Sequence, residues 1–113
     1  MKETVILCTK FGMGQTDLPE LGNKLIQKYF SLLLEGNEAP AIVCFYTDGV
    51  KLVTTNSPII EQLKQLEAKG TRLIVCSTCI DMMGLADQVQ VGIVGGMTDI
   101  IEAQIRAEKV ITI

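Results

Sequence analysis

Cys76-Ser77-Thr78-Cys79 sets two thiols three residues apart, directly after the apolar run Leu73-Ile74-Val75. Thiols so placed can exchange electrons as a disulfide, share a zinc ion with two further ligands, act as a nucleophile or simply pack. Zinc lacks ligands, because histidine is absent and the other two cysteines, Cys8 and Cys44, stand far apart rather than at a knuckle spacing. A thioredoxin-type redox pair fits poorly, since that motif normally follows the first strand of its domain and has different flanking residues. Cys8 and Cys44 sit inside apolar runs and read as inert core. For Cys76 and Cys79 the plain reading is a strand-end core thiol and a loop cysteine, and the reactive reading stands beside it. No Ser-His or Cys-His arrangement can be drawn, and Asp81 and Asp87 have no carboxylate partners at metal or glycosidase spacing.

The elements that must position these thiols alternate in type. Thr4 to Thr9 reads as a strand apolar on both faces, hence central in its sheet. After a turn with Gly12 and Gly14, Asp17 and Glu20 have capping-box spacing for a helix from about Leu18 to Leu34. Its expected buried face is Leu21, Leu25, Tyr29, Leu32 and Leu33. Ala41 to Tyr46 is a second strand, and Ser57-Pro58 opens a second helix with Ile59, Ile60, Leu63 and Leu66 inward. Arg72 to Cys76 is the third strand and Val89 to Val94 a fourth. Thr98 caps a helix bearing Ile101 and Ile105, and Val110 to Ile113 is a terminal strand expected to pair into the sheet.

This alternation is the pattern of right-handed βαβ crossovers, so the expected fold is α/β, with a parallel sheet covered by helices on both faces. In such sheets ligands gather outside the carboxyl ends of the strands. Four segments then share one edge: Lys10 to Thr16, Thr47 to Val50, Cys76 to Gly84 and Gly95 to Thr98. The candidate crevice residues on them are Gly12, Gly14, Gln15, Asp48, Gly49, Thr78, Asp81, Gly95 and Gly96. The two glycines of the first loop could cradle an anion, although without the third glycine of a dinucleotide fingerprint turn geometry is the simpler account. Asp48-Gly49 is most simply a turn, with Asp48 projecting into the crevice and Lys51 as its solvated neighbour. Met82, Met83 and Met97 near the mouth read as core or subunit contact.

The 113 residues, 48% apolar and 20% charged, suit a single domain over 1–113 with one core. A net charge of −3 with ten scattered basic residues gives no footprint for nucleic acid or an anionic membrane. No apolar run reaches the roughly 20 residues that span a bilayer, and Met1-Lys2-Glu3-Thr4 opens a strand rather than a signal, so a cytoplasmic protein with reduced thiols is expected.

Three motifs taken together, Gly12-Met13-Gly14, Tyr46-Thr47-Asp48-Gly49-Val50-Lys51-Leu52 and Cys76-Ser77-Thr78-Cys79-Ile80-Asp81 with Gly84-Leu85, resemble the DsrE-like (DsrE/DsrF/DsrH) superfamily. The chain is most similar to the C-terminal domain of YedF-type sulfurtransferase-like proteins, over nearly its whole length. The resemblance implies a three-layer α/β/α domain with a five-stranded, mostly parallel sheet. It also implies homo-oligomers, trimers or hexamers, with a dimer as the smaller alternative. In better-understood members a cysteine carries sulfur as a persulfide, passed between donor and acceptor proteins without metal or organic cofactor. Two alignments stay open: some carriers place the active cysteine where Cys76 falls, while the aspartate that follows favours Cys79. Cys79 is the expected nucleophile, near the start of a short helical stretch Ile80 to Met83, with Cys76 as resolving or alternative thiol. Asp81 works against the thiolate. YedF-type proteins carry a small TusA-type domain ahead of this one, which the chain lacks, so sulfur is expected from a separate protein unless the relay role is lost. The competing expectation is a non-catalytic small-molecule or protein-binding module with structural cysteines.

Overall fold

The computed structural model describes residues 3–113. Five strands, β1 (Thr4–Cys8), β2 (Ile42–Phe45), β3 (Arg72–Cys76), β4 (Ile93–Gly95) and β5 (Lys109–Thr112), form one sheet in the order β4-β3-β2-β1-β5. Every neighbouring pair is parallel. The helices are α1 (Pro19–Glu35), α2 (Ile60–Ala68), α3 (Ser77–Met82) and α4 (Met97–Arg106), with 3₁₀ turns over Thr47–Val53 and Ala86–Gln88. The steps from β1 through β4 all move the same way across the sheet, so right-handed crossovers put α1, α2 and the β3–β4 connection on one face. The step from β4 to β5 runs back the other way and carries α4 to the opposite face. The connections after β3 and β4 therefore diverge, which makes the gap between those two strands the switch point of the sheet.

All of β1 is buried, as befits an interior strand covered on both faces. The core gathers Ile6, Val43, Phe45 and Val75 from the sheet, Ile26 and Phe30 from α1, Ile59, Leu63 and Leu66 around α2, and Ile100 from α4. The terminal strand pairs into the sheet as expected, its partner being β1, and Ile113 N–H donates to the Leu7 carbonyl at 3.1 Å.

Local expectations failed in several places, α2 among them: it starts at Ile60 rather than Pro58, and Ser57 Oγ accepts the Ile59 N–H at 3.1 Å ahead of it. α1 begins at Pro19 with Leu18 extended, because proline suits a first helical position and disfavours helical backbone in the residue before it. Asp17 is no cap; the Thr16 hydroxyl accepts the Leu18 N–H instead at 3.1 Å. The buried stripe of α1 is Gly22, Ile26 and Phe30; of the expected face Tyr29 and Leu33 pack partly buried against the core, while Leu21, Leu25 and Leu32 are 42%, 41% and 64% exposed. β4 is only three residues long, because Val89 bridges to Thr54 in antiparallel fashion and Gln90 N–H donates to the Val53 carbonyl, leaving Gly92 to turn the chain into the edge. At α4 the cap is Gly96, whose N–H donates to Asp99 Oδ2 at 2.9 Å, and Thr98 lies inside the helix. Met82, Met83 and Met97 are all exposed, which removes a core role for them.

Candidate functional site

The segments after β2 and β3 meet at one sulfur, with the end of β1 behind the first of them. β3 runs directly into α3, so Cys76 is its N-cap and Cys79 the third helical residue. The helix thus starts three residues earlier than the sequence suggested, and at six residues its dipole is small. Cys76 is 1% exposed, a strand-end core thiol, whereas Cys79 is the one cysteine of the four that is not buried. All four are free.

The hydrogen-bond donor to Cys79 Sγ comes from the end of β2, where the Thr47 N–H donates at 3.2 Å. Thr47 has φ +49°, a left-handed conformation that a β-branched residue seldom adopts and that costs about 1–3 kcal/mol. Its hydroxyl lies 2.9 Å from the Thr9 carbonyl and 2.7 Å from the Tyr46 carbonyl, which share its single proton. The turn is held from beneath as well. Tyr46 N–H donates to the Cys8 carbonyl at 3.1 Å and Gly49 N–H to the Tyr46 carbonyl at 3.0 Å. A Cβ on Gly49 would stand 1.9 Å from the Cys8 carbonyl oxygen, so only glycine lets the 3₁₀ turn lie on the end of β1.

Burial pushes the Cys79 thiol up from the ordinary range. The Thr47 N–H pulls the other way, and the neighbouring Cys76 thiol, through its hydrogen bond and its charge, adds to the rise. Cys44 is pushed to about 11 by burial, partly offset by Arg72. Cys8 is raised beyond that by burial and by Cys44, so neither core thiol supplies thiolate near neutral pH.

The remaining candidates divide. Gly12, Gly14, Gln15 and Asp48 line a cleft of about 480 Å³ together with Lys10, Phe11, Met13 and Thr16. The cleft abuts the thiol through Thr9–Lys10 and Thr47–Asp48, because Thr47 touches both Thr9 and Cys79. Its glycine loop is tied down by Met13 N–H to the Gly22 carbonyl at 3.1 Å. Gly12 packs on Gly22 so tightly that an added Cβ would meet the Gly22 carbonyl carbon at 3.0 Å. Asp48 pairs with Lys51 at 3.3 Å, both exposed, as the sequence suggested. Gly49 is buried beneath its turn rather than lining the cleft. Thr78 and Asp81 are exposed on α3. Gly95 lies beside Cys76 in register, yet it lines a separate cavity of about 150 Å³ with Arg72, Ile93, Val94 and Asp99. Gly96 is occupied in capping α4. Among the described residues no three cysteine, aspartate or glutamate side chains converge as a metal ion would need, and no helix is long and apolar enough to cross a membrane. Sequence reasoning passed over Thr47 and Lys10. Nothing in a sequence marks a threonine for left-handed backbone, although Gly49 two residues on marked the turn.

A family model described as DsrE/DsrF-like family matches residues 24–113. The fold is similar to the crystal structure of the ychN protein from E. coli, with a TM-score of 0.71 at 19% identity, covering 100% of both chains. It is also similar to MTH1491 from Methanobacterium thermoautotrophicum, a protein of unknown function, with a TM-score of 0.68 at 20% identity over 97% of each chain. BT1422 from Bacteroides thetaiotaomicron, a conserved protein of unknown function, gives 0.68 at 16% identity over 98% of this chain and 95% of its own. At such identities the likeness speaks to fold. No curated protein matches the chain.

Proposed function

The chain belongs to the DsrE/DsrF-like family, and on that premise we propose that it is a sulfur carrier in which Cys79 accepts sulfane sulfur as a persulfide and hands it on. The family is generally linked to sulfur relay. The observation that carries the reading is that Cys79 alone among four cysteines is not buried, at the carboxyl edge of the sheet, with a fixed N–H on its sulfur.

In the first half-reaction Cys79 loses its proton to solvent and the thiolate attacks the outer sulfur of a donor persulfide, R–S–SH. An Sγ–S bond forms as the donor's S–S bond breaks, the electron pair leaves on R–S⁻, and that thiolate takes up a proton. In the second, an acceptor thiolate takes the outer sulfur and the pair returns to Sγ. No net oxidation occurs, so the cycle needs no metal or cofactor. Cys76 lies beside the nucleophile as a resolving thiol. Residues 1–113 act here as a single domain in a reducing, cytoplasmic setting, with donor and acceptor proteins as partners. The exposed apolar residues of α1 and α4, Leu21, Leu25, Leu32, Ile101 and Ile105, support assembly into a homo-oligomer.

Incubation with a cysteine desulfurase and cysteine is expected to add one sulfur to the intact mass, removable by reductant. Cys79→Ser should abolish the gain and Cys76→Ser should retain it. If neither substitution alters the gain, the assignment fails. The cleft beside Thr47 favours one further reading, a small-molecule-binding module. That reading requires a ligand-dependent rise in Tm that survives in the Cys76→Ser, Cys79→Ser double variant.

A further inference from the structure

We propose that Thr47 is the positioning residue of the sulfur-transfer step: its backbone N–H, locked in place by its own hydroxyl, is the fixed donor that holds negative charge on Cys79 Sγ. This inference rests on the sulfur-carrier reading and deepens it.

A backbone amide is an effective anion donor only if it cannot turn away, because the reorganisation is then complete before the charge arrives. Thr47 meets that condition at a cost. It holds φ +49° against its own β-branching. The conformation persists because the hydroxyl ties it to the Thr9 and Tyr46 carbonyls and because Gly49 seats the turn on Cys8. Relaxing Thr47 to an ordinary conformation would rotate the 46–47 peptide and swing the N–H off the sulfur, which lies 32 residues on in the chain. Strain retained at the residue whose N–H meets the candidate nucleophile is the pattern expected where conformation serves chemistry.

The same donor serves both half-reactions. Charge rests on Sγ before the donor is attacked and returns to Sγ when the acceptor removes the outer sulfur. Holding it there keeps Cys79 a competent nucleophile in the first step and a competent leaving group in the second. The charged and titratable groups on the segments that meet here are Cys76 and Asp81 beside the sulfur in sequence, Asp48 and Lys51 on the 3₁₀ turn, Tyr46 before it and Lys10 after β1. Of these, only Cys76 bears on the Cys79 thiol, and it opposes ionisation. The Thr47 amide is the influence that favours it.

The test is site-resolved iodoacetamide labelling of Cys79 across pH, read by peptide mass spectrometry, in the full chain and in Thr47→Val, Thr47→Ser and Thr47→Gly. Valine keeps the shape of threonine and loses the hydroxyl. It should lower the labelling rate near neutral pH by about tenfold and raise the midpoint by about one pH unit. Serine keeps the hydroxyl and should stay near the parent. Glycine adopts φ +49° without strain, so it folds where valine does not, and without the tether it should also show the raised midpoint. A folded valine or glycine variant with the parent midpoint, or a serine variant that behaves like valine, overturns the proposal. Labelling does not depend on sulfur uptake, so the two readings fail separately. A parent chain that takes up no sulfur yet shows the Thr47 effect loses the carrier function and keeps the amide. A chain that takes up sulfur on Cys79 with labelling indifferent to Thr47 does the reverse.

Discussion

At the scale of single residues, burial sorts four cysteines that composition treats alike. Cys8 and Cys44 are fully enclosed and their thiols are raised, so in the folded chain they stay protonated at pH values where the unfolded chain has released those protons. Folding stability from these groups is therefore complete below about pH 9, the ordinary thiol value, and declines above it. The Cys44 share is spent by about pH 11, and the Cys8 share continues to fall beyond that. For the more enclosed Cys8 the slope approaches about 1.4 kcal/mol per pH unit. Thermal melts from pH 8 to 11 are expected to show the decline in the native chain and a flatter profile in Cys8→Ala, Cys44→Ala. Parallel profiles for the two would mean that neither thiol is held protonated by the fold.

Among the elements, the 3₁₀ turn Thr47–Val53 matters out of proportion to its length. It joins the ends of β1, β2 and β3, and the join depends on the close approach at Gly49. In Gly49→Ala the new methyl would overlap the Cys8 carbonyl, a backbone atom that cannot move aside, so urea unfolding should show a loss of about 3 kcal/mol. Gly14→Ala, which has open space around its Cβ but φ +76°, should lose only about 1 kcal/mol of strain. Equal losses would show that the turn is not seated on β1. α1 teaches a different lesson. Its sequence carries two apolar stripes offset by one residue, Leu21-Leu25-Tyr29 and Gly22-Ile26-Phe30, and periodicity alone favours the first, which Leu32 and Leu33 extend. The second stripe faces the core because Gly22 admits the glycine loop, with Met13 bonded to its carbonyl.

For the whole molecule, strand order places chemistry. The reversal after β4 sends the connections after the paired strands β3 and β4 to opposite faces, so the Cys76–Cys79 segment leaves at the switch point. The same arrangement leaves α4 as the one long helix on its face, with Ile101 and Ile105 exposed, and leaves the leucine stripe of α1 exposed on the other. Sedimentation at micromolar concentration is expected to give a multiple of the 12.3 kDa chain mass. A monomer there would mean that these surfaces serve another purpose.

The α/β class, the parallel sheet and the bounds of β3 were legible in the residues alone, because each follows from local periodicity and the handedness of crossovers. The sequence also put Cys79 at the carboxyl edge of the sheet, although in a loop rather than in the first turn of α3, and carried the family motifs. What only the tertiary structure decided was phase and contact: which stripe of α1 turns inward, which stretch of 89–95 joins the sheet, and which atom meets the sulfur. Cys79 and Thr47 are brought together across 32 residues by strand register. Left-handed backbone at a threonine leaves no trace in composition or period, since tertiary contacts impose it against local preference.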